Sequence, residues 1–377
     1  MRLIAKGLIM EFTRLVPCLI TSLPLPNFAE GVIFLGAKGE NMKKLLTILL
    51  SVIMAMGAVG FLGCNAPNHT EPTKLSFYAP DGAPALAIAK FINDNESFGI
   101  DATIDYNVVA SSDIGGVMQT GKGDFIVMPV NAASKLYKAN QNDPYVMTAV
   151  VTHGNLYLMS SDGTSNLESL KGKVVGVIGQ GLVPDLTFRA ILSDNGLIDD
   201  VVFGDVATPD KITLRYFASA PDLIPMLKTG KLTDGLLPEP AATNLIKVAS
   251  DKTWERVDVQ ELYDNQSKSY PQAVLMVKKS VYNKYKTNID GMEQTFISNV
   301  SWVKQNTALA VTAVNGKLKD GLTPSLNSAN ITAQVVDNCK IYYQPSSQAK
   351  DVVKDYIEKI ISISSASAKT VGDDFFA

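Results

Sequence analysis

Pro238-Glu239-Pro240 sets a carboxylate between two prolines, the setting in this chain that most suggests chemistry. At a strand end such a carboxylate can receive N–H donors from a ligand, or simply favour the dipole of the helix that follows. Gly179-Gln180-Gly181-Leu182 offers something different. Glycine lets backbone amides approach a ligand, a helix start favours polar or anionic groups, and Gln180 adds a side-chain hydrogen bond. A dinucleotide fingerprint is excluded, because no third glycine follows and no acidic residue closes a βαβ unit about 20 residues on. Asp81-Gly82-Ala83, Ser111-Ser112 and Asn131 read as the equivalent strand-to-helix positions earlier in the chain, either as helix caps or as ligand contacts. Asn155, Tyr270 and Gln272 fall where the chain would pass between two halves. A ring there can stack on a flat ligand or pack in a hinge. His153 needs a nucleophile partner to act as a base, and the sequence nominates none, so no catalytic residue is assigned.

Composition narrows the classes. The 377 residues carry 34 Lys+Arg and 37 Asp+Glu, a net charge of −3 with no basic stripe, which excludes nucleic acid as the expected partner. Three cysteines (18, 64 and 339) and two histidines exclude a disulfide framework and a His-rich zinc site, and no cofactor or metal is expected. An apolar content of 46% over this length suits two domains or one two-lobed domain.

The elements that must position these residues alternate from Lys74 onward. Short apolar strands read at 75–79, 102–109, 125–128, 146–152, 156–160, 173–178, 213–217 and 270–277, with a further strand ending at 237. Helical periods read at 85–93, 114–119, 132–139, 185–192, 221–228, 241–248, 292–305, 308–318, near 331–337 and at 349–363. Asn131 is expected to cap the helix that follows it. The class is α/β. One stretch recurs: Thr120-Gly121-Lys122 through Pro129-Val130-Asn131-Ala132-Ala133 matches Thr229-Gly230-Lys231 through Pro238-Glu239-Pro240-Ala241-Ala242. Either two αβ units look alike by chance, or two lobes present corresponding loops across a crevice at the carboxyl ends of their strands.

The N-terminus is a different kind of sequence. Residues 1–63 carry six basic and three acidic side chains, so the remaining 314 carry 28 and 34, a net of −6. Met42-Lys43-Lys44, an apolar run to Gly63 and then Cys64 resemble a bacterial lipoprotein signal, with Cys64 as the lipidated residue. An uncleaved transmembrane anchor is the other reading of 19 uncharged residues. Lys38-Gly39-Glu40-Asn41 is encodable by a purine-rich ribosome-binding stretch, so translation is expected to start at Met42, with 1–41 a mis-annotated extension. The expected organisation is 42–63 signal, 64–73 polar tether, 74–155 with 270–377 as lobe 1, and 156–269 as lobe 2.

Asp81-Gly82-Ala83-Pro84-Ala85-Leu86-Ala87, Gly123-Asp124-Phe125, Leu170-Lys171-Gly172-Lys173-Val174-Val175-Gly176-Val177 and Pro238-Glu239-Pro240-Ala241 together resemble ABC-importer substrate-binding proteins. The nearest group is the nitrate/sulfonate/taurine and thiamine-pyrimidine binders, over roughly residues 74 to 365. The resemblance implies a two-lobed fold of the periplasmic-binding-protein type II kind, with two crossovers and a ligand between the lobes. It implies a monomer, tethered outside the cell membrane by lipid on Cys64, that delivers a small organic or anionic solute to an ABC permease and its ATPase. Ser111, Ser112 and Gln180 would suit a sulfonate or nitrate; Tyr270 and Glu239 would suit a pyrimidine. An enzyme on the same fold acting on a pyrimidine-like substrate is the alternative, but the relatives of that kind carry a Cys-rich, His-bearing site that this chain lacks. A non-transport sensor lipoprotein is the third reading.

Overall fold

The computed structural model describes residues 73–263 and 269–377. The extension 1–41, the signal 42–63, Cys64 and most of the tether lie outside the described residues. No helix among the described residues is long and apolar enough to cross a membrane.

Among the described residues, twelve strands form two sheets of six. In chain order, β1 (Thr73–Pro80), β2 (Ala102–Val109), β3 (Phe125–Pro129) and β4 (Tyr145–His153) come first. Then follow β5 (Leu156–Ser160), β6 (Lys173–Ile178), β7 (Val201–Phe203), β8 (Ile212–Phe217), β9 (Asp234–Pro238) and β10 (Glu255–Asp258). The last two are β11 (Pro271–Lys278) and β12 (Ile341–Pro345). One sheet has the order β12-β4-β11-β3-β1-β2 and the other β10-β5-β9-β6-β8-β7. Each has a parallel core, β2-β1-β3 in the first and β8-β6-β9 in the second. Each core then meets an antiparallel strand, β11 beside β3 and β5 beside β9. The chain passes from the first sheet to the second between β4 and β5, and returns between β10 and β11.

The central strands read as continuous apolar runs because both of their faces are covered. All nine residues of β4 and the first four of β3 are buried. The three strands the sequence pattern does not reveal, β7, β10 and β12, all lie at sheet edges, where one flank is open and fewer apolar side chains are needed.

The repeated stretch folds the same way twice. Helices Ile114–Gln119 and Ala220–Lys228 end at Thr120 and Thr229, and each hydroxyl donates to the carbonyl four residues back, at 2.7 and 2.8 Å. Gly121 and Gly230 then turn the chain with φ of 66° and 73°, a region that disfavours a side chain. A strand, a proline and a helix follow in both copies.

Three expectations change. The helix expected over 85–93 is two helices, Ala83–Leu86 and Ala89–Asp94. Asn299 causes the break: its Nδ2 donates to Leu86 O (3.1 Å) and its Oδ1 accepts from Lys90 N (2.8 Å), replacing the bond those two groups would share in a helix. The helix after β3 runs Val130–Leu136 and begins one residue before Asn131, so Asn131 lies inside it and caps nothing. The final helix, Ser346–Ile363, starts earlier than expected and lies against helix Val183–Asp194 of the second lobe as well as β4 of the first. Tyr356 OH and Thr187 Oγ1 meet at 2.6 Å across that contact. The apolar core is correspondingly shared, with Val150 and Tyr356 in the same cluster as Leu186 and Ile191.

Candidate functional site

Every parallel core strand ends at one crevice between the sheets. Its lining takes Pro80 and Asp81 after β1, Ala110 to Ser112 after β2, and Pro129 at the end of β3. From the second sheet it takes Gly179 after β6, Ala218 and Ser219 after β8, and Pro238 to Pro240 at the end of β9. Asn155 before β5 and Gln272 in β11 form the floor where the antiparallel strands begin, and Gly321–Thr323 with Ser325 add a flap from the C-terminal part of the first lobe. The crevice volume is about 430 Å³, the size of a small-solute site. A larger and more open groove, about 900 Å³, lies on the outer side of β2.

Ten of the fourteen candidate ligand residues line this crevice: Asp81, Gly82, Ala83, Ser111, Ser112, Asn155, Gly179, Leu182, Glu239 and Gln272. Four do not. Asn131 is buried, and its Nδ2 donates to Gly181 O and Ser367 O, both at 3.0 Å, tying the first lobe to the second and to the C-terminal tail. Gly181 is committed in the same contact, and its N–H donates to Asp185 Oδ2 at 2.9 Å. Gln180 is exposed outside the lining. Tyr270 is 1% exposed, stacked on Tyr356 at 5.6 Å and bonded through its OH to Gln260, so its ring is hinge packing and cannot stack on a ligand.

The carboxylate of Glu239 is buried and already satisfied. Oε1 accepts from Arg256 Nη2 and from Thr243 Oγ1, both at 2.7 Å, and Oε2 accepts from Thr243 N at 3.1 Å. It accepts from an early amide of helix Ala241–Val248, the contact that the helix-dipole reading expects. Arg256 also lies over the Tyr157 ring at 3.8 Å. Asp81 accepts from Gly82 N (2.8 Å) and, across the chain, from Ser325 N (2.7 Å), which holds the flap. Burial pushes the Asp81 carboxyl above its ordinary range, against the hydrogen bonds that pull it down. Asp222 accepts from Ser219 Oγ at 2.6 Å at the start of helix Ala220–Lys228. Sequence reading missed this pair, although Ser-x-x-Asp before an apolar run is a capping signature. It also missed the flap, for which no local signal exists.

The floor is polar and incomplete. Asn155 is fully buried, and its Nδ2 reaches Glu239 O (3.3 Å) and Cys339 O (3.5 Å). Its Oδ1 and Gln272 Oε1 are both buried without a hydrogen-bond partner. Beside the floor, His153 stacks on Tyr342 at 3.5 Å, and burial lowers its pKa to about 4. Burial pushes the Cys339 thiol well up, leaving it a protonated, inert group. No His, Cys, Lys or Arg is among the lining residues.

The fold this geometry builds is similar to that of several solved structures. A crystal structure of an ABC transporter protein from Parabacteroides distasonis is similar with a TM-score of 0.63 and 19% identity, over 81% of this chain and 99% of that one. The alkanesulfonate-binding protein of Xanthomonas axonopodis pv. citri, bound to MOPS, is similar at a TM-score of 0.55 and 14% identity, over 80% of this chain and 96% of that one. The periplasmic aliphatic sulphonate binding protein of Escherichia coli is similar at 0.55 and 12%, over 81% and 91%. No protein-family model and no curated protein matches the sequence. The two-lobed α/β fold is therefore established by structure.

Proposed function

We propose that this protein is the extracytoplasmic solute-binding component of an ABC importer, anchored at Cys64 by lipid and acting as a monomer that hands a small solute to a permease driven by an ATPase. One observation carries the reading: a crevice of about 430 Å³ takes its walls from the carboxyl ends of the core strands in both sheets. A solute held there contacts both lobes at once, so its binding free energy favours the closed arrangement over the open one. The lining supplies hydrogen-bonding groups but no base–nucleophile pair, which favours capture over turnover. Isothermal titration against a panel of sulfonates, nitrate and pyrimidines, with each mixture assayed for chemical change, tests it. Saturable one-to-one binding with the solute recovered intact is expected; turnover of a panel member would reject it in favour of an enzyme on this fold. Mass spectrometry of the membrane fraction checks the anchor, with diacylglyceryl-Cys64 as the expected N-terminus.

A further inference from the structure

The crevice has an unusual balance of donors and acceptors. Its 30 lining residues include Asp81, Asp222 and Glu239 and not one Lys or Arg. The nearest guanidinium, Arg256, is spent on Glu239. An oxyanion held without a cation would need backbone amides or hydroxyls, and two features reduce the amides on offer. Seven of the lining residues are proline, which has no N–H to offer. Two of the lining amides that remain are taken by one of the chain's own acids, Gly82 N and Ser325 N by Asp81. What the crevice leaves open is the opposite kind of group. Asn155 Oδ1 and Gln272 Oε1 are buried acceptors with no partner. For Asn155 the amide orientation is fixed, because its Nδ2 faces two carbonyls, so the oxygen is the end left for something else. Buried polar atoms are almost always paired, and an acceptor without a donor is costly until one arrives.

We infer that the crevice takes a small uncharged or positively charged solute that donates at least two N–H or O–H hydrogen bonds, to Asn155 Oδ1 and Gln272 Oε1, and that it turns away sulfonates and other oxyanions. This rests on the solute-binding reading above and sharpens it. The inference weighs against the sulfonate half of the expected ligand range, although structural neighbours are sulfonate-binding proteins. A desolvated oxyanion would face two ionisable acids, Asp81 and Asp222, with no compensating cation. A solute with amino, amide or hydroxyl donors meets acceptors already in place.

The test is a thermal-shift screen of the purified protein against matched pairs, each an oxyanion and its uncharged donor-bearing isostere: ethanesulfonate with ethanesulfonamide, carboxylates with carboxamides, and orotate with uracil and cytosine. Hits are then titrated by calorimetry. Every hit is expected in the donor-bearing member, at least about tenfold tighter than its oxyanion partner, the loss for a missing hydrogen bond to a buried group. A hit in the oxyanion member, equal or tighter, overturns the inference and leaves the solute-binding reading standing. No hit in either column overturns both. Gln272→Met, which keeps the volume, is expected to weaken the best hit by about tenfold; unchanged affinity overturns the acceptor assignment. Asn155→Leu should weaken it as much or more. Because that change also frees two carbonyls and can unfold the floor, Gln272→Met is the deciding variant.

Discussion

The two matching loops, Pro129-Val130-Asn131 and Pro238-Glu239-Pro240, hold the same place in their lobes and do different work. Both follow a strand paired with an antiparallel neighbour, Pro129 opposite Ala273 and Pro238 opposite Leu156. In the second lobe the polar residue turns inward: Glu239 is closed off by Arg256 and Thr243 of its own lobe. In the first lobe it turns outward: Asn131 bonds across to Gly181 and Ser367. The repeated fold thus fixes the loop, while the polar residue falls one position later in the first copy (Asn131 matches Pro240, Glu239 matches Val130) and its partner is whatever the rest of the chain brings alongside. One copy became an internal brace and the other a strap between lobes.

That contrast can be broken at the brace first. Arg256→Met leaves the buried Glu239 carboxylate without its cation and should cost roughly 3–5 kcal/mol in denaturant unfolding. The double variant Arg256→Met with Glu239→Gln should cost less than the single one; equal costs would mean that Glu239 is not charged in the folded protein. The crossover next to the brace gives a pH signature. His153 titrates at about 4 when folded and near 6.5 when unfolded, so the unfolded chain takes up the proton first as pH falls. Stability should therefore drop between pH 6.5 and 4, by up to about 3 kcal/mol, and His153→Gln should flatten that window. Gly154 lies in the same crossover, where an added Cβ would sit 2.7 Å from the Tyr270 ring. Gly154→Ala is expected to cost roughly 1–3 kcal/mol by overpacking the hinge, measured by thermal and denaturant unfolding. At the strap, Asn131→Ala should cost only about 1–2 kcal/mol, because two carbonyls lose a neutral donor and no charge is stranded. A loss at Asn131 as large as that at Arg256 would erase the distinction between the two loops.

Much of this was legible in the sequence because it is local. Strands β2, β5 and β6 and the helices 114–119, 241–248 and 292–305 follow their apolar periods, and the repeat could be read from Thr-Gly and Pro-x-x-Ala-Ala alone. The edge strands escaped notice because half-open strands need less apolar surface. Helix 85–93 was misread because the residue that splits it, Asn299, lies more than 200 positions away. The site divides in the same manner. Ten candidates line the crevice because strand-to-helix loops converge at the carboxyl ends of such sheets. Tyr270, Gly181 and Asn131 lie outside the lining because their neighbours take them first, and Gln180 because it is exposed beside it.

The sequence by itself determined the alternation of strands and helices, the doubled loop and the absence of a nominated base–nucleophile pair, since periodicity and residue type are properties of the chain. Only the tertiary structure decided which polar atoms are spent and which are left. Arg256 reaches Glu239 across 17 residues, and the backbone of Ser325 reaches Asp81 across 244, so the accounting of donors and acceptors is a sum over distant partners. That sum leaves Asn155 Oδ1 and Gln272 Oε1, on two lining residues, as acceptors without a partner.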